Sequence, residues 1–87
     1  MNLDRVEAIS LVKQLLSEIN VSASIQIILS PSYVYLGDIS QLCANIQHVS
    51  VASQDCSVQD KGAFTGEVAA SMLKSCNVEY VILGHSE

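Results

Sequence analysis

The chain has 87 residues, room for one small domain, of which 49% are hydrophobic and 15% charged, with a formal net charge of −5. Its four lysines and arginines are dispersed, which excludes a basic nucleic-acid footprint, and no window approaches the ~20 apolar residues of a membrane-spanning helix. Charged Asp4, Arg5 and Glu7 follow Met1 where a secretory leader would be apolar, and Cys43, Cys56 and Cys76 show no CxxC spacing. The expectation is a cytoplasmic chain with free, largely buried thiols, no disulfide and no metal site.

In chain order, Leu3, Val6, Ile9, Val12, Leu16 and Ile19 recur at helical spacing, opposite Arg5, Lys13, Gln14 and Glu18. This predicts a helix over residues 3–19, with Asn2 as N-cap, Asp4 and Glu7 at the positive end of its dipole, and Asn20 to Ala23 ending it. Residues 25–30 (IQIILS) read as a strand buried on both faces, broken by Ser30-Pro31-Ser32. A second helix is expected from Asp38 as N-cap, with Ile39, Leu42, Cys43 and Ile46 on one side. Residues 49–53 (VSVAS) form a second, less apolar strand. A long loop over 54–66 follows, and loops of that length are usually functional. A third helix over 67–76 places Val68, Met72, Leu73 and Cys76 together, and residues 79–83 (EYVIL) form a third strand.

The order α-β-α-β-α-β, with helical crossovers, implies parallel strands. Three such strands leave open edges and uncovered faces. The expectation is therefore a single partial domain over residues 1–87, incomplete at both ends.

In parallel α/β folds chemistry collects at the carboxyl ends of strands. Three segments fall there: Ser30 to Tyr33, Gln54 to Glu67, and Gly84 to Glu87. The acid-base candidate among them is His85, directly after an apolar strand that would hold its backbone rigidly. His48 precedes a strand, at the opposite end, and reads as structural. Glu67 and Glu87 fit either catalytic or solvated roles. Tyr33, Tyr35 and Tyr80 suit packing, and Lys61 and Lys74 suit either a surface or a phosphate contact. There is no P-loop and no GxGxxG.

Two stretches then carry a resemblance. Gly62 to Glu67 (GAFTGE) and Tyr80 to Glu87 (YVILGHSE) resemble the third loop and the fourth-strand segment of the triosephosphate isomerase family, at matching spacing. VSVASQDC resembles the third strand and the start of its loop, and SPSYVYL the loop after the second strand. Met1-Asn2 looks like the tail of the first-strand motif.

The resemblance implies an α/β fold, part of a (β/α)8 barrel covering about a third of its ~250 residues. It implies interconversion of dihydroxyacetone phosphate and glyceraldehyde 3-phosphate, in glycolysis and gluconeogenesis, without a cofactor. In the mechanism established for that family, a neutral histidine polarises the substrate carbonyl while a glutamate moves the proton. Carried over, His85 is that histidine. Thr65 braces a partner's site in a homodimer, and Ser86 and Glu87 lie around the site, Glu87 helping to place the family's lysine. That lysine, the glutamate base and the phosphate-binding loops have no counterpart here, so the isolated chain is expected to be inactive. The other reading is a catalytically dead α/β interaction module derived from a barrel. A flavodoxin-like fragment would need a phosphate loop after the first strand, and none is present.

Overall fold

The first helix starts at an aspartate. In the computed structural model, which describes residues 1–19 and 24–87, Asp4 is extended and its Oδ1 accepts the amide of Glu7 at 2.9 Å. This caps α1 (Arg5–Glu18). The expected cap, Asn2, lies too far upstream, because the side chain must reach the third amide of the helix. The expected terminator, Asn20 to Ala23, lies outside the described residues.

The remaining elements follow as β1 (Ile27–Leu29), a 3-10 turn (Tyr33–Tyr35), α2 (Leu36–Cys43), β2 (Val49–Ser53), α3 (Ala70–Ser75) and β3 (Tyr80–Val81). The three strands form one parallel sheet in the order β1-β2-β3. This is the expected α/β pattern of a partial (β/α)8 barrel. Each crossover carries a helix, as parallel neighbours require.

The core lies between these helices and one face of the sheet. Ala8 and Val12 of α1, Leu36, Ile39 and Cys43 of α2, Val49 and Val51 of β2, Leu73 of α3 and Val78 make up its buried cluster. Ile27 pairs with Val49 and Leu29 with Val51, and all four pack on this side.

Burial corrects several expectations. β1 is not buried on both faces, since Ile28 is 45% exposed. The central strand is β2, buried throughout, because it has a neighbour on each edge and its Ser and Ala side chains need little cover. On α1 the buried line runs through Ala8 and Val12, with Leu16 packed against the core, while Val6 is exposed. Apolar residues occur on several sides of this helix, so spacing alone left its buried side undetermined. On α3 only Leu73 is buried, and Met72 and Cys76 are exposed. Of the three free thiols Cys43 alone is fully buried.

Asp38 does not cap α2. It stands inside the first turn, and Arg5 Nε donates to its Oδ2 at 3.0 Å, joining α1 to α2. Both groups are largely solvated, so the pair contributes at most about 1 kcal/mol. A stronger tie is buried: Ser40 Oγ on α2 donates to the Cys76 carbonyl at 2.6 Å.

α3 ends in a Schellman arrangement. The amide of Val78 donates to the Leu73 carbonyl at 3.1 Å and that of Asn77 to the Lys74 carbonyl at 3.0 Å. Asn77 adopts φ 60°, the left-handed conformation that asparagine tolerates best after glycine. This turn feeds the chain into β3 beside β2. β3 is shorter than expected, because its pairing stops at Val81. No helix among the described residues is long and apolar enough to cross a membrane.

Candidate functional site

The carboxyl ends of β1, β2 and β3 lie side by side, and Ser53, the last residue of β2, organises them. Its side chain is wholly buried. The Ser53 hydroxyl donates to the Asp55 carbonyl at 2.7 Å, fixing the chain as it leaves β2. The Ser53 carbonyl accepts the amide of Ile82 at 3.0 Å, fixing the chain as it leaves β3. Two residues earlier on β2, the Val51 carbonyl accepts the amide of Glu79 at 3.1 Å. Gln54 Nε2 donates to the Ser30 carbonyl at 2.9 Å and ties in the loop after β1.

His85 follows Gly84, whose φ of 77° lies in the left-handed region that glycine enters at no steric cost. Past that turn the imidazole Nε2 lies 3.7 Å from Asp55 Oδ1. The histidine side chain is 35% exposed and the aspartate 57%. The expectation that His85 follows its strand directly, after residues 79–83, needs correction: β3 ends at Val81, and Ile82 holds the last ladder bond. His85 is therefore positioned by the turn and by its neighbours, not by the ladder itself.

The other expected site residues are spread out. Thr65 sits exposed in the turn at the tip of the loop between β2 and α3. That loop is braced internally: the Glu67 amide donates to the Phe64 carbonyl at 3.0 Å and the Ser57 amide to the Val68 carbonyl at 2.8 Å. Ser71 Oγ also donates to Asp60 Oδ1 at 2.8 Å. Gly62, at φ 126°, lets the Phe64 ring lie where a β-carbon would be, 2.9 Å from its Cε2. Ser86 and Glu87 are exposed and touch each other, Ser86 Oγ donating to Glu87 Oε2 at 3.4 Å. Glu67 is exposed, and His48 serves the backbone, its carbonyl accepting the Ile27 amide at 2.8 Å.

Asp55 is what the sequence reading missed. It stands two residues past β2, and His85 stands four past β3. Parallel neighbours bring those two exits together, a relationship that becomes visible only once strand order is known. Tyr33 adds to the same end of the sheet. Partial burial pushes its phenol above the ordinary value, and the negative charges of Asp55, Cys56 and Glu67 push it further. Among the described residues, the buried side-chain oxygen without a hydrogen-bond partner is Ser30 Oγ. It borders an open cavity of about 270 Å³, which Leu3, Leu11 and Leu15 also line. A larger one, about 610 Å³, opens between α3 and β3 around Cys56 and Lys74. His85 borders neither. No group of three or more His, Cys, Asp or Glu among the described residues is arranged to hold a metal ion.

The parallel strand order β1-β2-β3 with a helix in each crossover is that of a parallel α/β protein and is consistent with part of a (β/α)8 barrel. The triosephosphate isomerase family model matches residues 1–87. A triosephosphate isomerase of Amoebophilus asiaticus is 43% identical over 89 residues, covering 100% of this chain and 35% of the relative. A cytosolic triosephosphate isomerase of Stellaria longipes is 42% identical over 84 residues, covering 93% of this chain and 32% of the relative. A cytosolic triosephosphate isomerase of Oryza sativa subsp. japonica is 50% identical over 64 residues, 72% of this chain and 24% of the relative. The chain belongs to the triosephosphate isomerase family, and it spans about a third of the length of the first two relatives.

Proposed function

We propose that this chain supplies the carbonyl-polarising part of a triosephosphate isomerase, an enzyme interconverting dihydroxyacetone phosphate and D-glyceraldehyde 3-phosphate in glycolysis and gluconeogenesis. The observation that carries the reading is His85 at the carboxyl end of a parallel sheet, within a family match over residues 1–87. Residues 1–87 act as one portion of a (β/α)8 barrel.

In this reading the His85 imidazole, neutral and with its proton on Nε2, donates to the substrate carbonyl oxygen. Charge then developing on that oxygen is stabilised where it forms, which is how a positioned donor lowers the barrier. A proton shared between groups of similar basicity makes the stronger hydrogen bond, which favours a neutral imidazole over an imidazolium as partner of an enediolate. Ser86 and Glu87 lie beside it, and Thr65 reaches from the loop tip toward a second copy in a homodimer. No described residue is assigned as the base, so the isolated chain does not turn over. The cytosolic names of two relatives support a cytoplasmic setting.

The test is His85→Gln in a complete barrel carrying residues 1–87. Loss of a positioned proton donor lowers kcat roughly 10²–10⁴-fold with a small change in KM. Unchanged kcat would remove His85 from the chemistry. Substantial isomerase turnover by the isolated chain would overturn the need for the remaining strands.

A further inference from the structure

The loop between β2 and α3 holds its shape by ties of its own. Its two arms meet at the neck, where the Ser57 amide donates to the Val68 carbonyl at 2.8 Å. The arm leaving β2 then folds at Ser57, whose Oγ accepts the Gln59 amide at 3.0 Å. That fold carries Asp60 to α3, where Ser71 Oγ donates to Asp60 Oδ1 at 2.8 Å. The helix end of this bond is anchored, because Leu73, two residues on, is buried in the core. Past Asp60, Gly62 takes φ 126° beside the Phe64 ring, and the Glu67 amide closes the tip on the Phe64 carbonyl at 3.0 Å. Thr65 lies inside that closed tip. Asp60 is thus the point where a side chain ties the leading arm of the tip to an element packed on the core.

We propose that Asp60 is a positioning residue for the tip that carries Thr65. Its carboxylate, held by the Ser71 hydroxyl, fixes the arm from which residues 62–67 project, so the tip is built before anything docks on it. A hydroxyl donating to a carboxylate bonds more strongly than one donating to a neutral acceptor. A loop already in its bound shape loses less conformational freedom on association. The partner it is built for is a second copy of this chain, so the inference rests on the homodimer of the functional reading given above.

The experiment reads the loop rather than turnover. Amide hydrogen exchange is measured on the 87-residue chain and on its Asp60→Ala, Asp60→Asn, Ser71→Ala and doubly alanine-substituted variants. Asp60→Ala and Ser71→Ala are each expected to quicken exchange at Ser57 and Glu67 about fivefold, the equilibrium worth of one ordinary hydrogen bond. The ladder amides of Glu79 and Ile82 stay unchanged. The double variant is no faster than either single one, as a shared bond requires. Asp60→Asn keeps an acceptor oxygen and restores part of the loss. Unchanged exchange at Ser57 and Glu67, an equal quickening at Glu79 and Ile82, or no rescue by Asn would overturn the proposal. Failure of the homodimer reading shows separately, as a complete barrel carrying residues 1–87 that sediments as a monomer while exchange in the loop still depends on Asp60.

Discussion

The carbonyl of Ser53 accepts the amide of Ile82 at 3.0 Å while the hydroxyl of Ser53 donates to the next loop. One buried residue thereby sets both segments that leave the carboxyl end of the sheet. Had this position been valine, as β-propensity favours, the ladder bond would survive and the loop bond would not. The hydroxyl is therefore the part of Ser53 that speaks to Asp55.

Ser53→Ala removes that hydroxyl and keeps the strand. The Asp55 carbonyl can turn to water, so the expected cost is that of one ordinary hydrogen bond, about 1 kcal/mol. Urea unfolding reads the stability, and hydrogen exchange at residues 54–57 is expected to quicken. Unchanged exchange in that loop would mean that the bond does not position it.

Ile39 is the largest side chain sealed in the core, 1% exposed. Ile39→Ala leaves a cavity between α2 and β2 and is expected to cost about 2–5 kcal/mol, against roughly 0.5–1.5 for Ile39→Val. For so small a domain the alanine change abolishes cooperative unfolding. Circular dichroism in a urea series distinguishes the two.

Two glycines make opposite predictions. Gly37 lies inside α2 with nothing near a would-be β-carbon, so Gly37→Ala stabilises by about 0.5–1 kcal/mol. Gly62→Ala meets both a positive φ and the Phe64 ring, and costs roughly 1–3 kcal/mol. Thermal unfolding of the two variants should move in opposite directions.

Asn77 closes the Schellman turn at positive φ. Asn77→Ala is expected to cost roughly 1–2 kcal/mol, the left-handed penalty of a residue with a β-carbon and no helping side chain. Asn77→Gly keeps full stability. Equal midpoints for the two would show that the turn relaxes instead.

Burial pushes the Cys43 thiol above its ordinary value of 9.0. The folded state therefore binds this proton more tightly than the unfolded one. That contribution is fully present below pH 9.0 and is lost as pH rises through the higher folded value. Unfolding midpoints should fall more steeply above pH 9.0 in the unaltered chain than in Cys43→Ala. Native alkylation is expected to label Cys76 first, Cys56 next and Cys43 last, following their exposure.

Much of this molecule is legible in its sequence. VSVAS read as residues 49–53 is β2 to the residue, and the long loop after it is where the loop lies. The GAFTGE and GHSE stretches led to the family that the chain belongs to. Capping was legible in kind but not in place: Asn2 was expected to cap α1 and Asp38 to cap α2, whereas Asp4 caps α1 and Asp38 stands inside the first turn of α2.

What the sequence by itself determined, then, is local and compositional: alternating helix and strand, breaks at Pro31 and Gly84, and motifs dense enough to identify a family. These depend on neighbours along the chain. The tertiary structure alone decided which strand is central, which side of α1 is buried, and that Asp55 meets His85. The physical reason is that each of these joins residues far apart in sequence. Such contacts form only when parallel strands pair in register, and no periodicity along the chain encodes which exits will then be neighbours.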